Sequence, residues 1–278
     1  MFFVPLRTKA TIVWTTRMRT VRPKKALGQH FLTDLGIAGA IADTVDCIST
    51  IPVLEVGPGT GVLTQFLIKK ERPFKAVELD RESVAYLRKE YPEFGENLIE
   101  GDFLRLDLSQ AFDGKEFVLT GNYPYNISSQ IFFKMLDNRE LIPCCTGMVQ
   151  REVAQRICAT PGNKAYGILS VFVQAWYDAE YLFTVRPEVF NPPPKVHSAV
   201  IRLTRNGRTS LDCNPDLFRR IVKGTFNQRR KMLRNSIRQC LEKDALLPEC
   251  QWLDKRPEQL SVKDFIELTN VVEKINLH

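Results

Sequence analysis

A glycine-rich turn between an apolar strand and a helix constrains the fold of this chain most strongly. Residues 51–56 (IPVLEV) form a short apolar run, residues 57–61 (GPGTG) follow it, and residues 62–67 (VLTQFL) carry apolar side chains at helical spacing. Glycines at such a turn let the backbone approach a ligand closely, as in nucleotide-binding folds. The pattern predicts an α/β fold that binds a ligand at the carboxyl ends of parallel strands.

A second strand, at residues 74–80 (FKAVELD), brings a carboxylate to the same edge of the sheet. Glu78 lies 21 residues after Gly57, where it can accept hydrogen bonds from both ribose hydroxyls of an adenosine. The spacing G-x-G-x-G differs from the dinucleotide pattern, and the turn has no P-loop lysine. We therefore expect a site for S-adenosylmethionine, a ligand that contains adenosine but no pyrophosphate. A glycine loop beside a surface glutamate is the alternative.

Two further strand ends complete the predicted pocket. The strand at residues 97–100 is followed by Asp102, which can accept from an adenine amino group, and by Phe103, which can pack on the base. The strand at residues 116–120 is followed by residues 121–129 (GNYPYNISS). This last stretch places an amide, a proline and two aromatic rings at the ligand edge.

The sequence Asn122-Tyr123-Pro124-Tyr125 has the groups needed to hold an exocyclic amine. The side-chain oxygen of Asn122 and the carbonyl of Tyr123, kept extended by Pro124, can both accept from an amino group. Two acceptors would direct the nitrogen lone pair toward an electrophilic methyl. Tyr125 offers a face for a purine. A turn with core aromatics is the alternative.

The apolar pattern after residue 167 predicts a buried helix followed by two antiparallel strands that close the sheet. The helix is expected at residues 168–176 and the strands at 179–185 and 196–203. Between the strands, residues 190–196 (FNPPPKV) form a stiff proline loop. This loop can hold Phe190 over the pocket edge, or it can be a plain rigid connector.

Basic residues are concentrated in two blocks, although the net charge is only +7. Residues 1–33 hold seven Lys or Arg and no acid, and residues 191–238 hold twelve against two acids, so the rest of the chain is acidic. One basic block is as consistent with a solvated face as with a ligand. Two blocks flanking an acidic body favour a polyanion partner.

The remaining features exclude several protein classes. No apolar run is long enough to span a membrane. The seven cysteines are odd in number and lack a Cys-x-x-Cys pair, and only three histidines are present. We therefore expect reduced thiols in the cytoplasm and no metal site. Residues 1–18 are either a weak organelle-targeting sequence or the product of a start codon placed before Met18, and we favour the second interpretation.

With these motifs in order, the chain from about Arg22 to Leu203 resembles the ribosomal RNA adenine dimethyltransferases, specifically the bacterial small-subunit type. The matching stretches are residues 27–32 (LGQHFL), 55–61, 78–80, 121–127 and 190–200, and the basic helix at 226–235 also resembles the family's C-terminal domain.

The resemblance implies a class I S-adenosylmethionine-dependent methyltransferase, with a Rossmann-like sheet and a small all-helical C-terminal domain. We expect an N-terminal extension at 1–20, a catalytic domain at 21–206 and a basic helical domain at 207–278. The implied reaction dimethylates N6 of two adjacent adenines in the 3′-terminal hairpin loop of small-subunit rRNA and leaves S-adenosylhomocysteine. The expected partner is rRNA in a pre-30S particle, bound by a monomer.

The resemblance also implies roles for individual residues. The cofactor would contact His30, Leu32, Gly57, Glu78, Asp102 and Asn122. The target adenine would be held by Asn122, Tyr123, Pro124 and Tyr125, with Phe190 stacking on its other side. The two basic blocks place RNA contacts at Lys24, Lys25, Lys195, Arg229, Arg230, Lys231 and Arg234. The family usually has Asn at the position of His30 and often Leu at that of Tyr123.

The predicted mechanism depends on positioning. The N6 lone pair is delocalised into the purine, whereas a sulfonium methyl is strongly electrophilic, so acceptor hydrogen bonds can carry much of the barrier reduction. The adenine must leave its stack first. Two alternatives stay open: a large-subunit adenine methyltransferase of the macrolide-resistance type, and a non-catalytic RNA-binding assembly factor on the same fold.

Overall fold

A computed structural model describes residues 21–48, 50–242, 247 and 249–276. The predicted N-terminal extension at residues 1–20 lies outside the described residues, and so does the choice between its two interpretations.

The described residues form a mostly parallel sheet of seven strands, as the resemblance implied. Its order is β4-β3-β2-β5-β6-β9-β7; neighbours from β4 to β6 are parallel, and β9 is antiparallel to both β6 and β7. A separate antiparallel pair joins β1 to β8. The strands are β1 (Phe31–Leu32), β2 (Val53–Val56), β3 (Phe74–Glu78), β4 (Leu98–Glu100), β5 (Val118–Thr120), β6 (Cys144–Gln150), β7 (Tyr177–Val185), β8 (Phe190–Asn191) and β9 (Ser198–Arg205).

The strand order reverses between β2 and β5, and this reversal positions the site. Connections from β2 lead toward β4 on one side, and those from β5 lead toward β6 on the other. In open α/β sheets, ligands bind in the crevice beyond the carboxyl ends of the strands at such a switch point. The residues that follow β2 and β5 are the glycine turn and the Asn122 stretch, the two motifs that the sequence placed at a ligand edge.

Helices cover the sheet and begin where the sequence provides capping residues. Asp34 accepts from the backbone of Ile37, Asp80 from Glu82, and Asn214 from Asp216 and Leu217, so each caps the helix that follows it. The helices are α1 (Leu35–Asp43), α2 (Thr64–Leu67), α3 (Arg81–Glu90), α4 (Ser128–Asp137), α5 (Arg151–Ile157), α6 (Ile168–Gln174), α7 (Pro215–Asn227), α8 (Leu233–Ser236) and α9 (Val262–Asn276).

The core extends from the sheet into the C-terminal helices without a break. Every residue of β2 and β5 is buried, as expected for central parallel strands covered on both faces. One hydrophobic cluster contains Phe132 of α4, Phe172 of α6, Phe218 of α7 and Phe265 of α9. The division at residues 206 and 207 into two domains therefore stays a prediction, although every regular element described beyond it is helical. No described helix is long and apolar enough to cross a membrane.

Candidate active site

A cavity opens at the carboxyl ends of β2, β3, β4 and β5, where the sequence predicted a ligand site. Its walls come from the glycine turn, the ends of β3 and β4, and the stretch after β5. The lining residues that were predicted from sequence are His30, Gly57, Glu78, Asp102, Phe103, Asn122, Tyr123, Pro124 and Tyr125. One concave site therefore collects most of the residues that were assigned to the cofactor and to the target base.

The glycine turn needs its glycines for backbone conformation and close packing. Gly57 and Gly59 have φ of +67° and +57°, in the left-handed region that disfavours other residues. A Cβ on Gly59 would lie 2.9 Å from the ring of Phe31, so this ring packs directly on the turn. A Cβ on Gly57 would meet only Pro124, at 3.7 Å. The backbone of Gly57 is thus the part of the turn open to a ligand.

Glu78 is held at the end of β3 by the backbone of its neighbours. Its side chain is buried, with Oε2 accepting from the Gly59 amide at 2.9 Å and Oε1 from the Asp80 amide at 2.8 Å. Burial raises the pKa of this carboxyl, while the two amide bonds oppose that shift. Each oxygen keeps acceptor capacity beyond its one amide bond. The carboxylate is therefore oriented in advance and can accept from ligand hydroxyls.

Asp102 lines the cavity just beyond β4. Its Oδ1 accepts from the Leu104 amide at 2.9 Å, which closes a local turn, and the side chain stays partly exposed. The adjoining Phe103 is buried and contributes to the same wall. A fixed carboxylate and an aromatic ring thus lie side by side in this wall, and their predicted contact with adenine stays a prediction.

The amide of Asn122 has a defined orientation. Its Nδ2 group donates to the backbone carbonyl of His30 at 3.0 Å. Because a carbonyl oxygen accepts but does not donate, this contact fixes the amide and leaves Oδ1 as the acceptor. Asn122 thus ties the segment before β1 to the end of β5, and it presents an acceptor in the cavity.

Tyr123 has a structural task that the sequence did not assign. Its ring is 1% exposed, and its hydroxyl donates to the Thr146 carbonyl at 2.9 Å and contacts Cys145 Sγ at 3.2 Å. Burial raises the pKa of this phenol well above its usual range. The ring therefore anchors the stretch after β5 to β6. Because the ring is buried, only the backbone carbonyl of Tyr123 can still have the predicted role of holding the adenine.

Tyr125 and His30 form one aromatic wall. Their ring centroids lie 5.3 Å apart with an interplanar angle of 29°. The Tyr125 hydroxyl is hydrogen-bonded to the Ser198 hydroxyl, and His30 Nδ1 lies 2.8 Å from the Pro192 carbonyl oxygen. These contacts tie Tyr125 to the start of β9 and His30 to the proline loop. His30 is therefore packed in place by both of its contacts.

Residues 24–32, which we name the arm, roof the cavity. Its residues 27–31 all line the cavity, and sequence reasoning singled out only His30 among them. The motif LGQHFL at 27–32 was the signal for the others. Asn126 Nδ2 donates to the Ala26 carbonyl at 3.3 Å and supports the arm from below.

Lys24 fastens the arm through an ion pair, and its assignment to RNA stays a prediction. Its Nζ lies 2.5 Å from Asp80 Oδ1 and 3.2 Å from Glu82 Oε1. The Asp80 side chain is 3% exposed, and its hydrogen bonds and the charge of Lys24 lower its pKa against the effect of burial. An ion pair with a buried carboxylate is costly to open, so it holds the arm firmly against the start of α3.

Leu32 and Phe190 do not line the cavity, contrary to the prediction. They are register partners across the β1–β8 pair, and each is 3% exposed. Side chains alternate along a strand, so Phe31 reaches the cavity while Leu32 enters the core. Phe190 packs in the same core cluster. Its predicted stacking on a base would require the β1–β8 pair to rearrange.

The basic residues outside the arm fall into two groups. We name the set Lys25, Lys195, Arg229, Arg230, Lys231 and Arg234 the basic surface. Arg229 Nε donates to Glu258 at 2.7 Å, and Arg234 is paired with Asp254. For the other four, no ion pair is found among the described parts of the chain, and all four are exposed. These four are the members that can meet a polyanion without losing a partner.

A buried acid beneath the glycine turn was missed at the sequence level. Glu55 in β2 is 1% exposed, and its Oε2 accepts from the Thr64 hydroxyl at 2.7 Å. Burial raises its pKa to about 8, so the carboxyl is largely protonated at neutral pH. The bond joins β2 to α2 across the turn. An acid within the otherwise apolar run 51–56 was the available signal.

The chain is similar to proteins that are named as ribosomal RNA methyltransferases. The family model described as ribosomal RNA adenine dimethylase matches residues 21–274. A Bacteroides fragilis protein named ribosomal RNA small subunit methyltransferase A is 67% identical over 257 residues, which cover 92% of this chain and 94% of that protein.

Two solved structures are also similar to this chain. A Plasmodium falciparum dimethyladenosine transferase has a TM-score of 0.75 and 27% identity, and the match covers 88% of this chain and 98% of that one. The 23S rRNA methyltransferase ErmE has a TM-score of 0.64 and 24% identity over 86% and 99%. At that identity, the second likeness concerns the fold alone.

Proposed function

This chain belongs to the ribosomal RNA adenine dimethylase family, and we propose that it dimethylates N6 of two adjacent adenines in small-subunit rRNA with S-adenosylmethionine as donor. The observation that carries the proposal is the orientation of Asn122, whose Nδ2 is bound to the arm so that Oδ1 is left to accept from an amine. The name of the Bacteroides fragilis relative supports the choice of the small subunit.

The cavity fits S-adenosylmethionine. The open backbone at Gly57 leaves room for the amino-acid tail, Glu78 offers two oriented acceptors for ribose hydroxyls, and Asp102 with Phe103 suits adenine. When bound, this cofactor supplies an electrophilic methyl on a sulfonium. The arm residues His30 and Phe31 would cover it and exclude water.

The chain's own residues supply positioning for the amine. Asn122 Oδ1 and the Tyr123 carbonyl would accept the two N6 hydrogens, which leaves the nitrogen lone pair directed at the methyl. Tyr125 would stack on the extruded base, with its ring already held by His30 and Ser198. Oriented acceptors of this kind stabilise the charge that develops on the nitrogen in the transition state.

We also propose that residues 207–278 and the basic surface bind the rRNA around the target hairpin. Four exposed cations that have no ion pair among the described residues support this role: Lys25, Lys195, Arg230 and Lys231. The substrate would be rRNA within a pre-30S particle, methylated by a monomer in the cytoplasm without a metal ion.

A direct test is transfer of radiolabelled methyl groups to immature small subunits, followed by mapping of the modified adenines. We expect the native protein to produce two adjacent dimethyladenines. The variants Asn122→Ala and Glu78→Ala should show strongly reduced transfer. Transfer restricted to large-subunit RNA would contradict the substrate. Full rescue of a deletion strain's subunit maturation by the inactive Asn122→Ala variant would identify binding, rather than methylation, as the main function.

A further inference from the structure

Two thiols that are distant in the sequence lie in contact at the amino-terminal end of β6, on the opposite side of the sheet from the carboxyl ends that form the cavity. Cys47 lies in the short 3₁₀ helix Thr44–Ile48 and is exposed, whereas Cys144 is the first residue of β6 and is buried. Their sulfur atoms are 2.8 Å apart, across 97 residues of chain. This is a contact between a solvent-accessible thiol and a protected one.

The surroundings of Cys47 favour its thiolate. The hydrogen bond with Cys144 and the guanidinium charges of Arg202 and Arg72 stabilise the thiolate, so the pKa of Cys47 falls to about 7. The pKa of Cys144 is raised, since the hydrogen bond and burial both favour its thiol. The cysteines that react with oxidants are exposed ones in electropositive surroundings.

Arg72 is itself fixed beside this pair. Its guanidinium donates to the Ile48 carbonyl at 2.7 Å and to Asp46 Oδ1 at 3.1 Å. Its side chain is 4% exposed. The positive charge of Arg72 therefore keeps its place next to the 3₁₀ helix, and it adds to the larger effect of Arg202 on the pKa of Cys47.

We propose that Cys47 and Cys144 form a peroxide-oxidisable pair that closes to a disulfide. The Cys47 thiolate attacks hydrogen peroxide, an S–O bond forms, the O–O bond breaks and hydroxide leaves, giving a sulfenic acid. Cys144 then loses its proton and attacks the Cys47 sulfur, an S–S bond forms and the S–O bond breaks. The departing hydroxide and that proton form water. Two thiols are oxidised by two electrons, and one peroxide is reduced.

The position of the pair predicts that the site survives oxidation. Cys144 begins β6 and is paired with Val118 at the start of β5. The cavity lies at the other end of these strands, where Asn122 bridges to Met148. Neither cysteine lines the cavity. The disulfide would instead join the segment after α1 to a central strand.

The test treats the full protein with one equivalent of hydrogen peroxide under denaturant-free conditions. We expect free thiols to fall from seven to five, the intact mass to fall by two hydrogens, and digestion to give a reducible peptide that links Cys47 to Cys144. The melting temperature should rise, since a long loop is closed, and a reductant should reverse every change.

Three variants separate this proposal from general oxidation. Cys47→Ser, at an exposed position, should abolish the linked peptide and the thermal shift, whereas Cys213→Ser should keep both. With one equivalent of peroxide, Cys144→Ser should leave Cys47 as a sulfenic acid that a dimedone-type probe labels and mass spectrometry detects. If native protein keeps seven thiols, or accumulates oxidised Cys47 without the linked peptide, the proposal is wrong.

Discussion

The cavity and the basic surface differ in how far their side chains are fixed before a ligand arrives. In the cavity, Glu78 and Asn122 are each held by backbone partners, and the glycine turn is packed against Phe31. On the basic surface, Lys231 is exposed without an ion pair among the described residues, and Arg234 is paired with an acid of its own chain.

This difference has energetic consequences. A pre-oriented acceptor costs little reorganisation when a ligand binds, because folding has already fixed it. An exposed lysine or arginine has to be ordered by the ligand, and salt screens its charge. Single substitutions should therefore have large, salt-independent effects in the cavity. On the basic surface they should have small, additive and salt-dependent effects.

The strongest test of this contrast is Asn122→Ala. We expect the methyl-transfer rate constant to fall about 100-fold or more, because an acceptor aligned for the transition state is removed. Cofactor affinity should change only a few-fold, through the lost bond to the arm at His30. Single-turnover kinetics and calorimetric titration with S-adenosylhomocysteine measure the two effects separately.

Asn126→Ala is the matched control for this prediction. Asn126 also donates its Nδ2 to an arm carbonyl, that of Ala26, but it is exposed and has no assigned acceptor role. Its substitution should lower the rate constant only slightly. Equal losses in the two variants would mean that Asn122 acts by holding the arm and not through its oxygen.

Glu78→Ala should lower cofactor affinity about 10-fold to 100-fold, the usual range for losing a charged acceptor. The rate constant at saturating cofactor should change less, because Glu78 is assigned to the ribose and not to the reacting amine. Glu100→Ala is the control: Glu100 is the register partner of Glu78 on β4, but it is paired with Arg88. Unchanged affinity in Glu78→Ala would remove this residue from the cofactor site.

The sequence predicted the parallel sheet and its ligand edge because those depend on local patterns. Apolar runs and a glycine turn are determined by neighbouring residues. Glu78 and Asp102 follow from the same logic, since the carboxyl ends of parallel strands meet at one edge of the sheet. Most residues of the cavity were thus predictable from the sequence.

The misassigned residues depend on contacts between distant segments. Leu32 and Phe190 are buried because two very short strands pair across more than half of the chain. The ring of Tyr123 enters the core because β6 offers a glycine there: a Cβ on Gly147 would lie 2.9 Å from that ring. Neither pairing leaves a periodic signal in the sequence, so the side-chain directions were not predictable.

Lys24→Ala tests the border between the two regions. We expect cofactor affinity to fall about threefold to tenfold, because the arm loses its tether to Asp80 and its ordering becomes part of the binding cost. RNA affinity should change little. Lys24→Arg keeps the positive charge and should bind the cofactor as the native protein does. If Lys24→Ala acted only by lowering the stability of the protein, this difference between the two variants would not be expected.

Its neighbour Lys25 provides the opposite control, since it is exposed and has no ion pair among the described residues. Lys25→Ala should weaken RNA binding and leave cofactor affinity unchanged. If Lys24→Ala instead weakens RNA binding alone, the ion pair seen here opens on the ribosomal particle, and the original assignment of Lys24 to RNA is correct.

The smallest single effects are expected on the basic surface, where Lys231→Ala and Arg234→Ala can be compared. The slope of log affinity against log salt should decrease by about 0.7 for each lost phosphate contact to single-stranded RNA. Lys231→Ala should show this decrease. Arg234→Ala should show less of it, because Arg234 must first leave Asp254. Exposed ion pairs contribute little stability, however, so the pair can exchange readily. Equal slopes for the two variants would mean that RNA displaces Asp254, and that intramolecular pairing does not decide which cations of the basic surface bind.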